Sequence, residues 1–442
     1  MQVSGSNRIK GDFDRMLDQT TEEVLMRPMI DAAHSWHRGL RHCDEGVDDL
    51  TFLQLGVHRI LRNNESGRDF FQYAGDALDL QIGKTAFFDL FHSKARLELL
   101  KNTTVGLYRD GCHNIETDLL GSFAQLEGLD VIAGDGHLLA AACHSQRDYK
   151  NRKVAANSLF MLNVRNGLML PLASVQGDGR YAHEMPVLRE HLPGFLKQTI
   201  AAKKRLKNVL LLLDPAFNDT VFWTNLNQAQ QFGALVILPQ KDNLSVYGYR
   251  SLDFDRDDPI NAGILSFDLV GFAADHSTTM HRIVYRDPET KHTYRFLTTA
   301  TDLSPGLVAM LYLLRWRIEK AFDVFKNKLH ERKAWGNGPV CQQMQAHFAC
   351  MAHNLILLLS ETLKEGFGIE PLKLYQKREK ALERREMTAK RNGGFVNPLI
   401  KLIKIPSQIS CQLIRCLRNG IASCRRFYEH LPDFRRVMEC YL

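Results

Sequence analysis

Residues 208–217 read NVLLLLDPAF. The apolar part of this run is too continuous for an amphipathic helix and far too short for a membrane span. It has the pattern of a strand buried on both faces, and such a strand needs a covering layer on each side. Upstream, LDVIAG (129–134), SLFMLNV (158–164) and LMLPLASV (168–175) are strand-like, and the last two are joined by Arg165, Asn166 and Gly167, a link suited to a tight hairpin. MPVLREHLPGFLKQTIAAKKRLK (185–207) reads as helix, with Pro193 expected to break or kink it. Downstream, an amphipathic helix over 219–232 leads to ALVILP (234–239), a further buried strand.

The order strand, hairpin, helix, strand, helix, strand predicts an α/β fold with a mixed sheet and helices on both faces. A ribonuclease-H-like core has this order of elements. Residues 240–302 interrupt it with short alternating strands, among them HRIVYRD (281–287) and TYRFLTT (293–299), and read as a β-rich insertion. Ser304 and Pro305 then punctuate the start of a long helix over 306–330, followed by a second apolar helix over 340–364. The expected parts are therefore a helical region at 1–125, the core at 126–238, the insertion at 239–302, the second part of the core at 303–364 and a helical tail at 365–442, broken by NGG at 392–394.

Three carboxylates stand out by position. Asp135 follows the first strand and Asp214 the later buried one, so neighbouring strands can bring them to one edge of the sheet. Either alone is equally a turn or helix-capping aspartate. The third, Glu319, lies in LYLLRWRIEKAFDVFK (311–326). At ~100° per residue, Tyr312, Arg315, Glu319 and Lys326 fall on a stripe about 60° wide that borders the apolar face. A plain i,i+4 pair between Arg315 and Glu319 is the alternative.

The spacing Tyr-x-x-Arg-x-x-x-Glu-x-x-x-x-x-x-Lys, on a helix that follows two strand-end aspartates and a β-rich insertion, resembles the signature of the DDE transposases of the insertion-sequence-four family of bacteria. Trp316, directly after the arginine, is also similar to that family. The resemblance covers residues 130–364, and it implies a DNA transposase that binds terminal inverted repeats, cleaves the element ends and joins 3′ hydroxyls to target DNA. It also implies a helical N-terminal DNA-binding domain, a dimer or higher assembly on paired ends, and a cytoplasmic, nucleoid-associated location. Asp135, Asp214 and Glu319 would be the catalytic and metal-holding residues, with two Mg2+ ions for which Mn2+ can substitute. Such chemistry explains the residue types, because in-line phosphodiester cleavage uses paired divalent ions and magnesium prefers hard oxygen ligands. Tyr312, Arg315, Trp316 and Lys326 would contact DNA, the arginine by a bidentate grip on phosphate and the tryptophan by stacking on an unpaired base. Two departures are His137, where relatives often carry a hydroxyl residue, and the lack of any Trp between 224 and 315, which leaves Tyr294 as the nearest comparable aromatic.

Within 66–100 a short helix, a break near Leu80–Gly83 and a second helix from Lys84 or Thr85 have the pattern of a helix-turn-helix, with Lys84, His92, Lys94 and Arg96 near phosphates. An ordinary antiparallel helix pair fits as well. Charge adds direction: residues 365–442 hold 16 basic and 8 acidic residues, which leaves 41 and 42 of the chain's 57 and 50 for the rest. A basic end on a near-neutral body suits a polyanion partner. No apolar run reaches the ~18 residues of a membrane span and the start of the sequence has no secretory pattern. The nine scattered cysteines carry no Cys-x-x-Cys pair and read as reduced thiols. A nuclease or resolvase on the same core, without strand transfer, and a non-catalytic DNA-binding regulator are the rival readings. A metallohydrolase built on His137, His144 or His276 lacks ligand spacing.

Overall fold

The computed structural model describes residues 23–391 except for 37–46, 63–65, 78–79, 116–117, 143–146, 148–150, 152, 154, 176–183, 201–208, 229–233, 274, 288–289, 330 and 368–371. The expected NGG break and most of the basic tail lie outside the described residues.

The core is built on β1 (Asp130–Leu139), β2 (Ala156–Asn163), β3 (Met169–Val175), β4 (Val209–Leu212) and β5 (Leu235–Pro239). They lie in the order β3-β2-β1-β4-β5, with β1, β4 and β5 mutually parallel and β2 antiparallel to β1. Alternation along the strands sorts the core into two layers. Val131, Ala133, Leu210 and Leu212 join one apolar cluster, and Ile132, Leu211 and Leu213 join the other. This is the α/β sandwich of a ribonuclease-H-like fold, and it explains why β4 is apolar at every position.

Helix α6 (Glu184–Ile200) and α7 (Thr220–Gln228) cover the second layer. The expected break at Pro193 does not occur, because α6 runs straight through it. Leu188, Leu192, Phe195 and Leu196 all bury on the sheet, and that burial offsets the lost backbone bond.

The N-terminal part is helical: residues 23–35 form α1, followed by α2 (Asp49–Leu61), α3 (Gly67–Ala77), α4 (Lys84–Leu90) and α5 (Lys94–Asn114). The break before Lys84 is where the sequence predicts it. A second break at Phe91–Ser93 shortens α4 to seven residues, and Ser93 caps α5 by accepting from Arg96 N. Phe87 and Phe91 draw α4 into an aromatic cluster with Phe52 and Phe70, which holds the turn in place.

The expected β-rich insertion is present and continues the core sheet. Its strands β6 (Val246–Ser251), β7 (Ile264–Phe272), β8 (Asp275–Arg286) and β9 (Thr293–Thr298) extend the core sheet, because β9 pairs with β5 through Ile237 and Thr298. The expected single helix over 306–330 is instead three pieces: α8 (Pro305–Leu314), α9 (Trp316–Asp323) and a π-helical turn, Val324–Lys328. At the first junction Arg315 N and Ile318 N bond three residues back, to Tyr312 O and Arg315 O, and at the second Leu329 N bonds five back, to Val324 O. Helix α10 (Pro339–Phe367) closes the first layer, and α11 (Leu372–Arg391) follows. On α10 the buried Asn354 both donates to Met169 O and accepts from Met169 N, so it satisfies the outer edge of β3. Among the described residues no helix is long and apolar enough to cross a membrane.

Candidate active site

The parallel register of β1 and β4 runs from Asp130 opposite Val209 to Ala133 opposite Leu212. Two residues further along stand Asp135 and Asp214, on the face that carries α8 and α9; only Asp214 lies past the end of its strand, whereas Asp135, expected to end β1, is the sixth of its ten residues and still pairs with Phe160, at the point where the β4 ladder has stopped. Asp135 Oδ1 accepts from its neighbour Gly136 N at 2.8 Å. Asp214 accepts from Ala216 N at 2.7 Å and caps the short turn Pro215–Phe217, so its capping role and its place at the strand end coexist.

Arg315 sits at the junction of α8 and α9 and reaches down to this edge. Its Nη1 donates to Asp135 Oδ2 at 3.1 Å and its Nη2 to Glu319 Oε1 at 2.6 Å, with the arginine side chain only 10% exposed. The i,i+4 pair of the sequence reading is therefore real, and it is one arm of a bridge to the strand. The guanidinium stands between the first aspartate and the glutamate. Among the described residues no three His, Cys, Asp or Glu side chains are grouped closely enough to hold a metal ion in this state.

The electrostatics are those of crowded acids. Burial lifts the Asp135 carboxyl to about 6, with Arg315 opposing and Asp214 and Glu184 reinforcing the rise. For Arg315, burial works against the charge, but Tyr312, Asp135 and Glu319 outweigh it and its pKa is raised. Burial also carries the Tyr312 hydroxyl up to about 12, so it remains a hydrogen-bond donor at neutral pH. Its ring packs 4.9 Å from Phe296, which stacks on Tyr294 at 6.0 Å. Tyr294 thus belongs to an aromatic row on β9 that runs toward the site.

The remaining predicted residues divide. Trp316 is 58% exposed beside Arg315, and Lys326 is exposed on the π turn. Lys84 and Lys94 are exposed at the starts of α4 and α5, separated from the strand-end site along the chain. Arg96 departs from the expectation of an outward phosphate contact. It is buried, donates to Val47 O and lies over the Phe52 ring at 5.1 Å, which pins α5 to α2. His137 packs: its ring stacks on Phe322 at 4.7 Å and meets Phe325 and Phe160 edge-on. Burial and the Lys326 charge hold it neutral, its pKa down at about 4. It therefore joins β1 to the π turn that carries Lys326.

One acidic residue near the site escaped the sequence reading. Glu184, the first residue of α6, accepts from Asn157 Nδ2 at 3.0 Å and is raised by burial and then by Asp214, with the Asn157 bond opposing. Its sequence context signals only a helix start.

The ribonuclease-H-like sheet thus sets two aspartates on adjacent parallel strands beneath the helix that carries Arg315 and Glu319. The chain belongs to the transposase DDE domain family, whose model matches residues 128–355, just over half of its length. Membership in that family implies DNA as the partner and metal-dependent DNA cleavage as the class of reaction. No curated protein matches the chain.

Proposed function

We propose that this protein is a transposase of the insertion-sequence-four type, which binds the terminal inverted repeats of its element, cleaves the ends and joins the 3′ hydroxyls to target DNA. The observation that carries the reading is the placement of Asp135 and Asp214 two residues past the last β1–β4 pair on adjacent strands, with Arg315 bonded to both Asp135 and Glu319.

The donor chemistry suits a divalent cation, although in this state Arg315 holds Asp135 and Glu319 and no three of the acids are grouped to bind one. The donors are all hard carboxylate oxygens, Asp135 is raised chiefly by burial with Asp214 adding to it, and a guanidinium bridges Asp135 and Glu319 as the balancing positive charge. Asp135, Asp214 and Glu319 would hold the ions, Mg2+ or Mn2+ in its place. Bound there, the ions supply an activated nucleophile and a stabilised leaving oxygen. The chain's own groups do the rest. Arg315, freed from its carboxylates, grips a phosphate with both Nη atoms. Tyr312 donates its hydroxyl proton to the DNA backbone, Lys326 adds a point charge and Trp316 offers a face for an unpaired base. Paired ends call for two copies of the chain.

Substituting Ala at Asp135, Asp214 or Glu319 is expected to abolish end cleavage while end binding persists, as read by gel shift and cleavage of labelled ends. Full activity in any one variant overturns the assignment. Supplying pre-cut 3′ ends with a plasmid target separates the rivals: joined products identify a transposase, hydrolysis alone a nuclease.

A further inference from the structure

The π turn Val324–Lys328 carries Lys326 and is fastened from two sides. On the inner side the buried Phe325 meets His137 edge-on, and the His137 ring also stacks on Phe322 and hydrogen-bonds to the Glu331 backbone. The Lys326 charge is felt at His137, two positions past Asp135 on β1, so the lysine belongs to the neighbourhood of that aspartate. On the outer side the fastening is one side chain. Arg332 Nε donates to Lys326 O at 3.0 Å and its Nη2 to Asn327 Oδ1 at 3.0 Å, while Asn327 Nδ2 donates to Asp323 at the end of α9. An α-helix bonds four residues back. Here Leu329 N reaches five back, to Val324 O, and Glu331 N six back, to Phe325 O, so the ordinary ladder no longer holds the backbone around Lys326.

Arg332 is itself anchored. Its carbonyl accepts from Ala140 N at 2.8 Å, and Ala334 N returns a bond to Ala140 O at 2.8 Å, which pairs Lys333 in parallel with Ala140 just past the end of β1. The strand that carries Asp135 therefore sets the place of Arg332, and Arg332 sets the place of Lys326. Charge pairing does not explain the arrangement. Arg332 is exposed and forms no ion pair among the described residues, both of its acceptors are neutral oxygens, and the nearby Asp323 is reached only through the Asn327 amide. A planar guanidinium with fixed donor directions suits such a two-point hold, and a lysine ammonium does not.

We propose that Arg332 is a positioning residue for DNA cleavage: it holds Lys326 O and Asn327 so that the Lys326 ammonium is aimed at a phosphate of the end being cut. The inference rests on the proposed function, which puts Lys326 on DNA, and adds a residue that lies outside the Tyr312, Arg315, Glu319 and Lys326 spacing.

The test is single-turnover cleavage of labelled ends at saturating DNA by the full-length protein, compared for wild type, K326A, R332A, R332K and the double variant K326A/R332A. Misplacing a reacting group by an ångström can cost about 100-fold, so R332A is expected to cut about 10- to 100-fold more slowly, and no more slowly than K326A. R332K keeps the charge without the fork and should resemble R332A. Once K326A is present, R332A should cost less than about 2-fold, as for two residues that act as one. A wild-type rate in R332A, rescue by R332K, or equal losses in the two backgrounds overturns the proposal. Hydrogen exchange of the 324–332 segment without DNA reads the hold directly. Faster exchange in R332A than in wild type is expected, and unchanged exchange overturns the proposal as well. The two readings fail differently: lost cutting in D135N beside normal cutting in R332A ends this inference alone, whereas a wild-type protein that cuts no ends removes the proposed function and this inference with it.

Discussion

Two places in the molecule set an arginine among acids and aromatics, and they behave in opposite ways. At the junction between the N-terminal helices and the segment after the π turn, Arg59 lies 4.1 Å over Trp335 and 4.8 Å over Phe91. The buried Glu331 beside it accepts from Gln345 Nε2, and Gln345 also accepts from Trp335 N and donates to Lys333 O. The acid and the amide are hydrogen-bonded to each other, and the Arg59 charge is felt at Glu331. Burial raises Glu331 to about 7 and lowers Arg59 to about 10, so the pair is perturbed as strongly as anything in the site. At the strand end, by contrast, Arg315 is outnumbered by acids, and its buried Nε has no partner among the described residues. Perturbation therefore does not mark function here. A charge-matched network is a rivet between parts of the fold, whereas one with surplus negative charge attracts cations.

The largest effects should separate the two regions cleanly. D135N and Glu319→Gln are expected to lower end cleavage by on the order of 10³-fold or more, with the fold retained in EDTA. Phe348→Ala acts at the rivet. That ring is fully buried, meets Phe52 edge-on at 5.4 Å and presses on Gly56 of α2. Its loss should cost about 3–5 kcal/mol of stability through the cavity left behind, with cleavage per folded molecule retained. Denaturant unfolding beside activity titration reads both. A Phe348→Ala protein of wild-type stability, or a D135N protein with normal cleavage, breaks the comparison.

A pH experiment sharpens it. Because Asp135 is raised to about 6, the folded state holds that proton more tightly than the unfolded chain, whose carboxyl titrates at about 4. Its contribution to stability is present below about pH 4 and is lost as pH rises to about 6. Two units correspond to at most about 3 kcal/mol. D135N is neutral throughout and lacks this slope. Relative to wild type, it should gain about 1–3 kcal/mol between pH 4 and pH 6.5 when unfolding is followed in EDTA. Parallel stability curves for the two proteins would show that Asp135 is not crowded.

Much of this was legible in the sequence, for identifiable reasons. VLLLLD announces a strand buried on both faces, and a strand that ends in Asp214 must deliver it to the sheet edge. The Tyr312, Arg315 and Glu319 spacing works because the junction at Arg315 only tightens the helix, with Arg315 and Ile318 bonding three residues back while the backbone keeps helical dihedrals. The π turn was illegible because Phe322, Phe325 and Leu329 keep helical apolar spacing whichever carbonyl their backbone donors choose. The joining of β9 to β5 depends on a register set in three dimensions. Glu184 was missed because its position depends on Gly136 having no side chain and on Asn157 reaching over from β2. Three separated stretches of chain each look unremarkable alone.

The smallest effects concern the N-terminal helices, where the same contrast recurs between Arg96 and its neighbours. Arg96 is packed like Arg59, against a carbonyl and an aromatic ring, whereas Lys84 and Lys94 stand in solvent at the starts of α4 and α5. A lysine that neutralises a phosphate releases about one counterion, so Lys84→Ala and Lys94→Ala should each reduce the slope of log K against log salt for end DNA by about 1, with stability changed by less than about 0.5 kcal/mol. Arg96→Ala should do the reverse. It removes the tie between α5 and Val47, lowering stability by about 1–3 kcal/mol, while the salt slope of the protein that remains folded stays as in wild type. If Arg96→Ala instead shifts the slope and spares the fold, the packed arginines are not the passive class that Arg59 defines, and a helix-turn-helix contact at Arg96 has to be restored.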